Sequence, residues 1–185
     1  MQMNQFKRSA ISAALLAVAM VSGSAAHAGV VTLDVTGISS NAAFGDASNE
    51  TRFIDILAGV RITGISWNVS LTSAAPSWLS EISVDLNDGA GAGFSLAPGF
   101  GENSSGSGSF SGTADLIGLG VDFFLGASGR LNFEFFETFD DAFGSADGGW
   151  DRGTLTVNFV PEPATFGLAA LALLGVGITT RRRNS

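Results

Sequence analysis

Through the interior of this 185-residue chain, apolar and polar residues change places at every second position. A strand with one buried face needs that rhythm, and a helix cannot use it. Ile65, Trp67, Val69 and Leu71 alternate with Ser66, Asn68 and Ser70. Ile82, Val84 and Leu86 alternate with Ser83 and Asp85, and Asn87-Asp88-Gly89 then reads as a turn. Val121, Phe123 and Leu125 suggest another strand, and Leu131, Phe133 and Phe135 oppose Asn132, Glu134 and Phe136 in the next. Residues 154–160 close the series as Val30-Val31-Thr32-Leu33-Asp34-Val35 opens it. Residues 89–93, 103–112 and 144–153 are rich in glycine and serine and read as connections. Short alternating strands with such turns predict an all-β fold, an antiparallel β-sandwich of jelly-roll type.

The two ends follow different rules. Lys7 and Arg8 precede an apolar run from Ala10 to Val21, and Ala26-His27-Ala28 supplies a small-x-small cleavage site. Residues 1–28 therefore read as a signal peptide, an N-terminal helix cut after Ala26 and Ala28 have presented that site. At the other end, the seventeen residues 164–180 carry no charge. At about 1.5 Å rise per residue they just reach across a hydrocarbon core of about 30 Å, which predicts a single C-terminal transmembrane helix. Arg181, Arg182 and Arg183 follow and resist translocation, so the domain at 29–160 is expected outside the inner membrane. Pro161 and Pro163 make a stiff joint between domain and span.

Removing the ends sharpens the chemistry. All seventeen acidic residues but only four arginines, Arg52, Arg61, Arg130 and Arg152, lie in 29–163, a net charge of −13. Such a surface disfavours nucleic acid and anionic lipid and suits simple solubility, a basic partner or a divalent cation. The chain has no cysteine, so no disulfide or thiolate chemistry is available to it. Its one histidine, His27, leaves with the signal peptide, which removes Ser-His-Asp and His–metal chemistry from the mature protein. A non-enzymatic protein is the expectation.

Three sets of residues compete with plain structural roles. Asp140, Asp141, Asp147 and Asp151 share one glycine-rich loop, where carboxylates can cage Ca2+ or simply make turns; turn chemistry is the commoner use, and no cofactor is required. Glu134 and Glu137 with Asp140 resemble the acid pair of a glycoside hydrolase only in number, since neighbouring strand positions point to opposite faces. Of the tryptophans, Trp67 has core spacing, while Trp78 beside Pro76 and Trp150 in the acidic loop read as reachable, Trp150 being the candidate for stacking on a sugar ring.

Val160-Pro161-Glu162-Pro163-Ala164, the apolar run with Leu173-Leu174-Gly175 and the terminal arginines together resemble the PEP-CTERM sorting region of Gram-negative bacteria. The resemblance implies an exosortase that processes the tail (161–185) near Pro161, Glu162 and Pro163, after export and a transient inner-membrane anchor. It also implies a destination at the cell surface or in an exopolysaccharide or biofilm matrix. Within the domain, the segments from Ile62 to Leu71, Trp78 to Leu86, Gly129 to Phe135 and Asp151 to Phe159 resemble strands of the P-domain, the jelly roll that accompanies proprotein convertases. That likeness implies a fold, not an activity. A structural surface or matrix component is thus the first functional expectation, and a carbohydrate-binding or Ca2+-dependent adhesion module the second.

Overall fold

The computed structural model describes residues 28–141 and 145–161. The signal peptide apart from Ala28, the Glu162-Pro163 part of the sorting motif, the span at 164–180 and Arg181, Arg182 and Arg183 lie outside the described residues. Among the described residues no helix is long and apolar enough to cross a membrane.

Ten strands and one short helix follow one another as β1 (Gly29–Asp34), β2 (Ile38–Ser40), β3 (Glu50–Asp55), β4 (Arg61–Ser73), β5 (Ile82–Asn87), β6 (Gly93–Leu96), β7 (Gly106–Asp115), α1 (Leu116–Leu119), β8 (Phe123–Phe124), β9 (Arg130–Glu137) and β10 (Gly148–Val160). Sheet A has the order β1-β10-β4-β7, with β2 added beside β10 and β8 beside β4; sheet B has the order β3-β9-β5-β6. All pairings are antiparallel. The pairs β1·β10, β3·β9, β4·β7 and β5·β6 are nested, as if one long hairpin had been bent and wrapped around itself. That nesting, split over two sheets, is the jelly roll.

Alternation explains which side of each strand is dry. Leu131, Phe133 and Phe135 of β9 and Ile82, Val84 and Leu86 of β5 meet Ile62, Ile65, Val69 and Leu71 of β4 and Leu155 and Val157 of β10. Each of these large side chains contributes roughly 1.5–3 kcal/mol by leaving water. With no disulfide in the chain, this core must carry the stability.

Three expectations change. Residues 103–112 are no loop beyond Ser105: β7 runs from Gly106 through Ser107-Gly108-Ser109-Phe110-Ser111-Gly112. Its inward positions are Gly108, Phe110, Gly112 and Ala114, and its outward ones are hydroxyls, so the period of two is present but written in glycine. A side chain on Gly112 would run into the Trp67 indole, and one on Gly108 into the Phe110 ring. The glycines make room for aromatics. Likewise β10 begins at Gly148, inside the segment expected to be a connection. Conversely, the strand expected over Val121, Phe123 and Leu125 shrinks to β8. Its approach is taken by α1, which Asp115 caps at the start through a bond from Ile117 N–H and Gly120 ends with φ 71°.

Gly153 tests the central ladder. It has φ +121°, and a Cβ there would collide with the Asn68 carbonyl on β4. Gly37 also has positive φ (+77°) but open space around it. Gly153→Ala should therefore lose more stability in urea unfolding than the ~1–3 kcal/mol of dihedral strain that Gly37→Ala should show. Equal losses would mean that β10 and β4 do not approach as closely as described.

Candidate functional site

The acidic loop does not assemble as one cage. β10 carries an irregularity between Trp150 and Arg152, where Trp150 pairs with Leu71 and Arg152 with Ser70, leaving Asp151 as the extra residue. Asp151 consequently points out from sheet A and accepts a bond from Thr72 Oγ1 at 2.6 Å. Asp147 is buried at the end of the sandwich, where its Oδ2 accepts from Asp141 N–H at 2.9 Å. Ser77 Oγ reaches Asp141 Oδ2 at 3.5 Å. Asp140, Asp141 and Asp147 thus stay near one another and Asp151 is separated from them, which corrects the four-residue Ca2+ set. Among the described residues, no three acidic groups converge closely enough to hold a metal ion.

Glu137 is the group that sequence reading undervalued. As the last residue of β9 it turns inward and is wholly buried, opposite Gly148. A Cβ on Gly148 would lie 2.5 Å from Glu137 Oε1, so that glycine opens the space the carboxyl fills. Neither carboxyl oxygen meets a hydrogen-bond donor among the described residues. Burial, and then the neighbouring charges of Asp147, Glu81, Asp140 and Asp141, push its pKa up to about 8. The arginines are engaged elsewhere: Arg52 with Glu50, Arg61 with Asp122, Arg130 with Asp55, and Arg152 with Ser70 Oγ. Burial and the surrounding acids both favour the protonated, neutral carboxyl. Glu134, its neighbour on the opposite face, is tied to the 41–49 loop by Gly45 N–H and Asn49 Nδ2. The two glutamates share no cleft, as strand alternation required.

Outside sheet A, hydroxyls line up between strands. Ser70 meets Ser109 at 2.9 Å, Thr72 meets Ser107 at 2.8 Å, and Arg152 Nε donates to Ser70 Oγ at 3.2 Å. Ser70, Ser107, Ser109 and Arg152 line an open groove of about 490 Å3 with Gly108 and Asp151, and a smaller hollow of about 210 Å3 adjoins it over Asn68 and Gly153. The bulge that pushes Asp151 outward builds one wall of this groove. Its polar lining consists of side-chain hydroxyls, an amide, and the oppositely charged Asp151 and Arg152, beside Gly108, Val69 and Gly153.

Trp150 lies on the other side of the same strand. It is fully buried, its ring edge-on to Phe135 at 5.2 Å, and its indole N–H donates to Ser40 Oγ at 3.3 Å. The expectation that it stacks on a sugar is corrected: alternation along β10 sends position 150 into the core and 151 out. Trp67 is half-buried against Gly112, and Trp78 remains 44% exposed.

Comparison with known proteins assigns the tail. The profile of the PEP-CTERM protein-sorting motif matches residues 159–183. No curated protein sequence matches the chain. Among solved structures, the VP2 subviral particle of infectious bursal disease virus is similar at 11% identity and a TM-score of 0.33, over 74% of this chain and 33% of the viral one. Desmodium yellow mottle tymovirus gives 12% identity and a TM-score of 0.26, over 75% and 84%. The chain thus spans about a third of the VP2 protein. It carries the sorting motif of an exported, exosortase-processed protein that passes through a membrane-anchored intermediate.

A buried carboxyl with a raised pKa makes folding proton-linked. The folded state binds the Glu137 proton up to about pH 8, whereas the unfolded chain releases it near 4.5. Stability from this group is thus full below the lower value and falls as pH rises through the window, at ~1.4 kcal/mol per unit. Glu137→Gln should flatten that decline and leave the protein more stable than the parent on the alkaline side. Urea unfolding on both sides of the window measures it, and an unchanged pH slope would show Glu137 to be paired.

Proposed function

We propose that this protein is a non-enzymatic surface or extracellular-matrix component, a jelly roll delivered by its sorting tail and retained among exopolysaccharide. One observation carries the reading. β10 ends at Val160 and the Pro-Glu-Pro of the sorting region starts at Pro161, so a cut at Pro161, Glu162 or Pro163 takes nothing from the sheet, although the matched motif reaches back to Phe159. A domain built to be released needs its last ladder complete before the cut. The mature chain's lack of histidine and cysteine supports a role without nucleophilic or His–metal catalysis. Its −13 charge supports a soluble, non-nucleic-acid partner.

Mass spectrometry of the protein from its native host, with and without the exosortase, tests the reading. The mature C-terminus should lie within 161–163 when the enzyme is present, and the chain should keep Arg181, Arg182 and Arg183 when it is absent. Retention of Arg181, Arg182 and Arg183 in both hosts would refute processing.

The outer groove of sheet A supports a second reading, binding of a neutral glycan. It replaces the stacking role first read for Trp150. Arg152→Ala and Asp151→Ala should weaken retention on the host polysaccharide in affinity electrophoresis, with Val30→Ser, on the opposite edge of the sheet, as a silent control. Unchanged mobility shifts in both groove variants would exclude this groove.

A further inference from the structure

The excursion from β7 to β8 is apolar on both of its sides. Leu116, Phe123 and Leu125 fill the core, yet Ile117, Leu119, Val121 and Phe124 remain 39–61% exposed. Leu57 is 61% exposed on the next loop, which Gly59 N–H and Leu125 N–H tie to this segment by bonds of 2.9 Å to Leu125 and Val60 carbonyls. A cluster of this kind on an otherwise acidic surface marks a contact. The charges beside it are already engaged. Asp122 pairs with Arg61, whose guanidinium lies over the Phe124 ring at 5.7 Å, and Asp115 caps α1.

Strand register shows where this patch sits. Arg61 is paired with Phe124 on one side and with Val160 on the other. Phe124 is therefore two strand spacings, about 10 Å, from the last residue of β10. Four further residues lead from Val160 to Ala164, where the uncharged run begins, and a chain of that length spans at most about 14 Å. While the run is held in a bilayer, a linker of that length limits how far this end of the sandwich can lie from the lipid surface. The opposite end, with Phe100, has no such tether.

We infer that Ile117, Leu119, Val121 and Phe124 dock the jelly roll onto the lipid interface during the anchored stage, resting the domain on the membrane until its tail is cut. This rests on the reading of 164–180 as a membrane-held segment. Interfacial seating of apolar side chains needs no cationic face when the tether supplies the proximity. It also suits release: once the tail is removed, a patch this small on a domain of −13 charge does not hold the bilayer alone.

The absence of native cysteine makes the test direct. The full chain is reconstituted into phosphatidylcholine vesicles as Leu119→Cys or Phe100→Cys, each labelled with an environment-sensitive dye, and flotation is scored first. The label at 119 should be blue-shifted and quenched by bromo-lipids, while the label at 100 stays in water. Adding Ile117→Ser and Phe124→Ser should return the 119 label to water with flotation intact. If the vesicles float and both labels are equally wet, docking is overturned while the anchor stands. If the chain does not float, the anchor reading fails and docking with it. Shielding at 119 that ignores bromo-lipids and grows with protein density would mean a second copy covers the patch, which also overturns the proposal.

Discussion

In sheet A the last strand of the domain lies between the first strand and β4, and everything else is placed by that insertion. β10 pairs with β4 from Gly148 opposite Ser73 to Val160 opposite Arg61, with two irregularities on the way. One of them turns Asp151 and Arg152 outward together and so forms the groove. Where the ladder ends, Val160 lies two strands from Phe124. Where it begins, Gly148 makes room for Glu137. Because its two strands are far apart in sequence, the ladder closes only after nearly the whole domain exists, the slow-folding arrangement typical of β-sandwiches.

Small residues serve this architecture as packing elements. Gly112 accepts the Trp67 ring, Gly108 accepts Phe110, and Gly148 accepts a carboxyl. In each case glycine sits on the inward face of a strand, where it would ordinarily weaken the structure by offering nothing to bury. Here the missing side chain on one strand is filled by a large one from a neighbour or from the same strand. The resulting sandwich holds aromatic bulk without overpacking.

Electrostatically, the domain divides its charges by depth. Its arginines spend themselves on Glu50, Asp55, Asp122 and Ser70 at the surface. None is left for the acidic end of the sandwich, where Glu137 escapes the conflict by holding its proton. That arrangement joins a buried acid to the opening of β10.

Much of the fold was legible because it is written locally. β4, β5, β9 and the second half of β10 follow from alternation, since a sheet with one wet face must sort its side chains two by two. β7 escaped because glycine and serine score as turn residues, although their positions keep the same period. β3 escaped because its Thr51, Arg52 and Phe53 are all exposed, so no alternation is required of them. Trp150 was read as reachable from a glycine-rich loop; that segment is the start of β10, and only its pairing with β4 shows that position 150 turns into the core. By itself the sequence determined the β class, the sorting tail and the absence of histidine and thiol chemistry, because these depend on composition and on contiguous order. The tertiary structure alone decided which tryptophan is buried, that Glu137 is enclosed, and that an apolar patch lies two strands from the end of β10. Those depend on register between strands as much as a hundred residues apart, which no local pattern encodes.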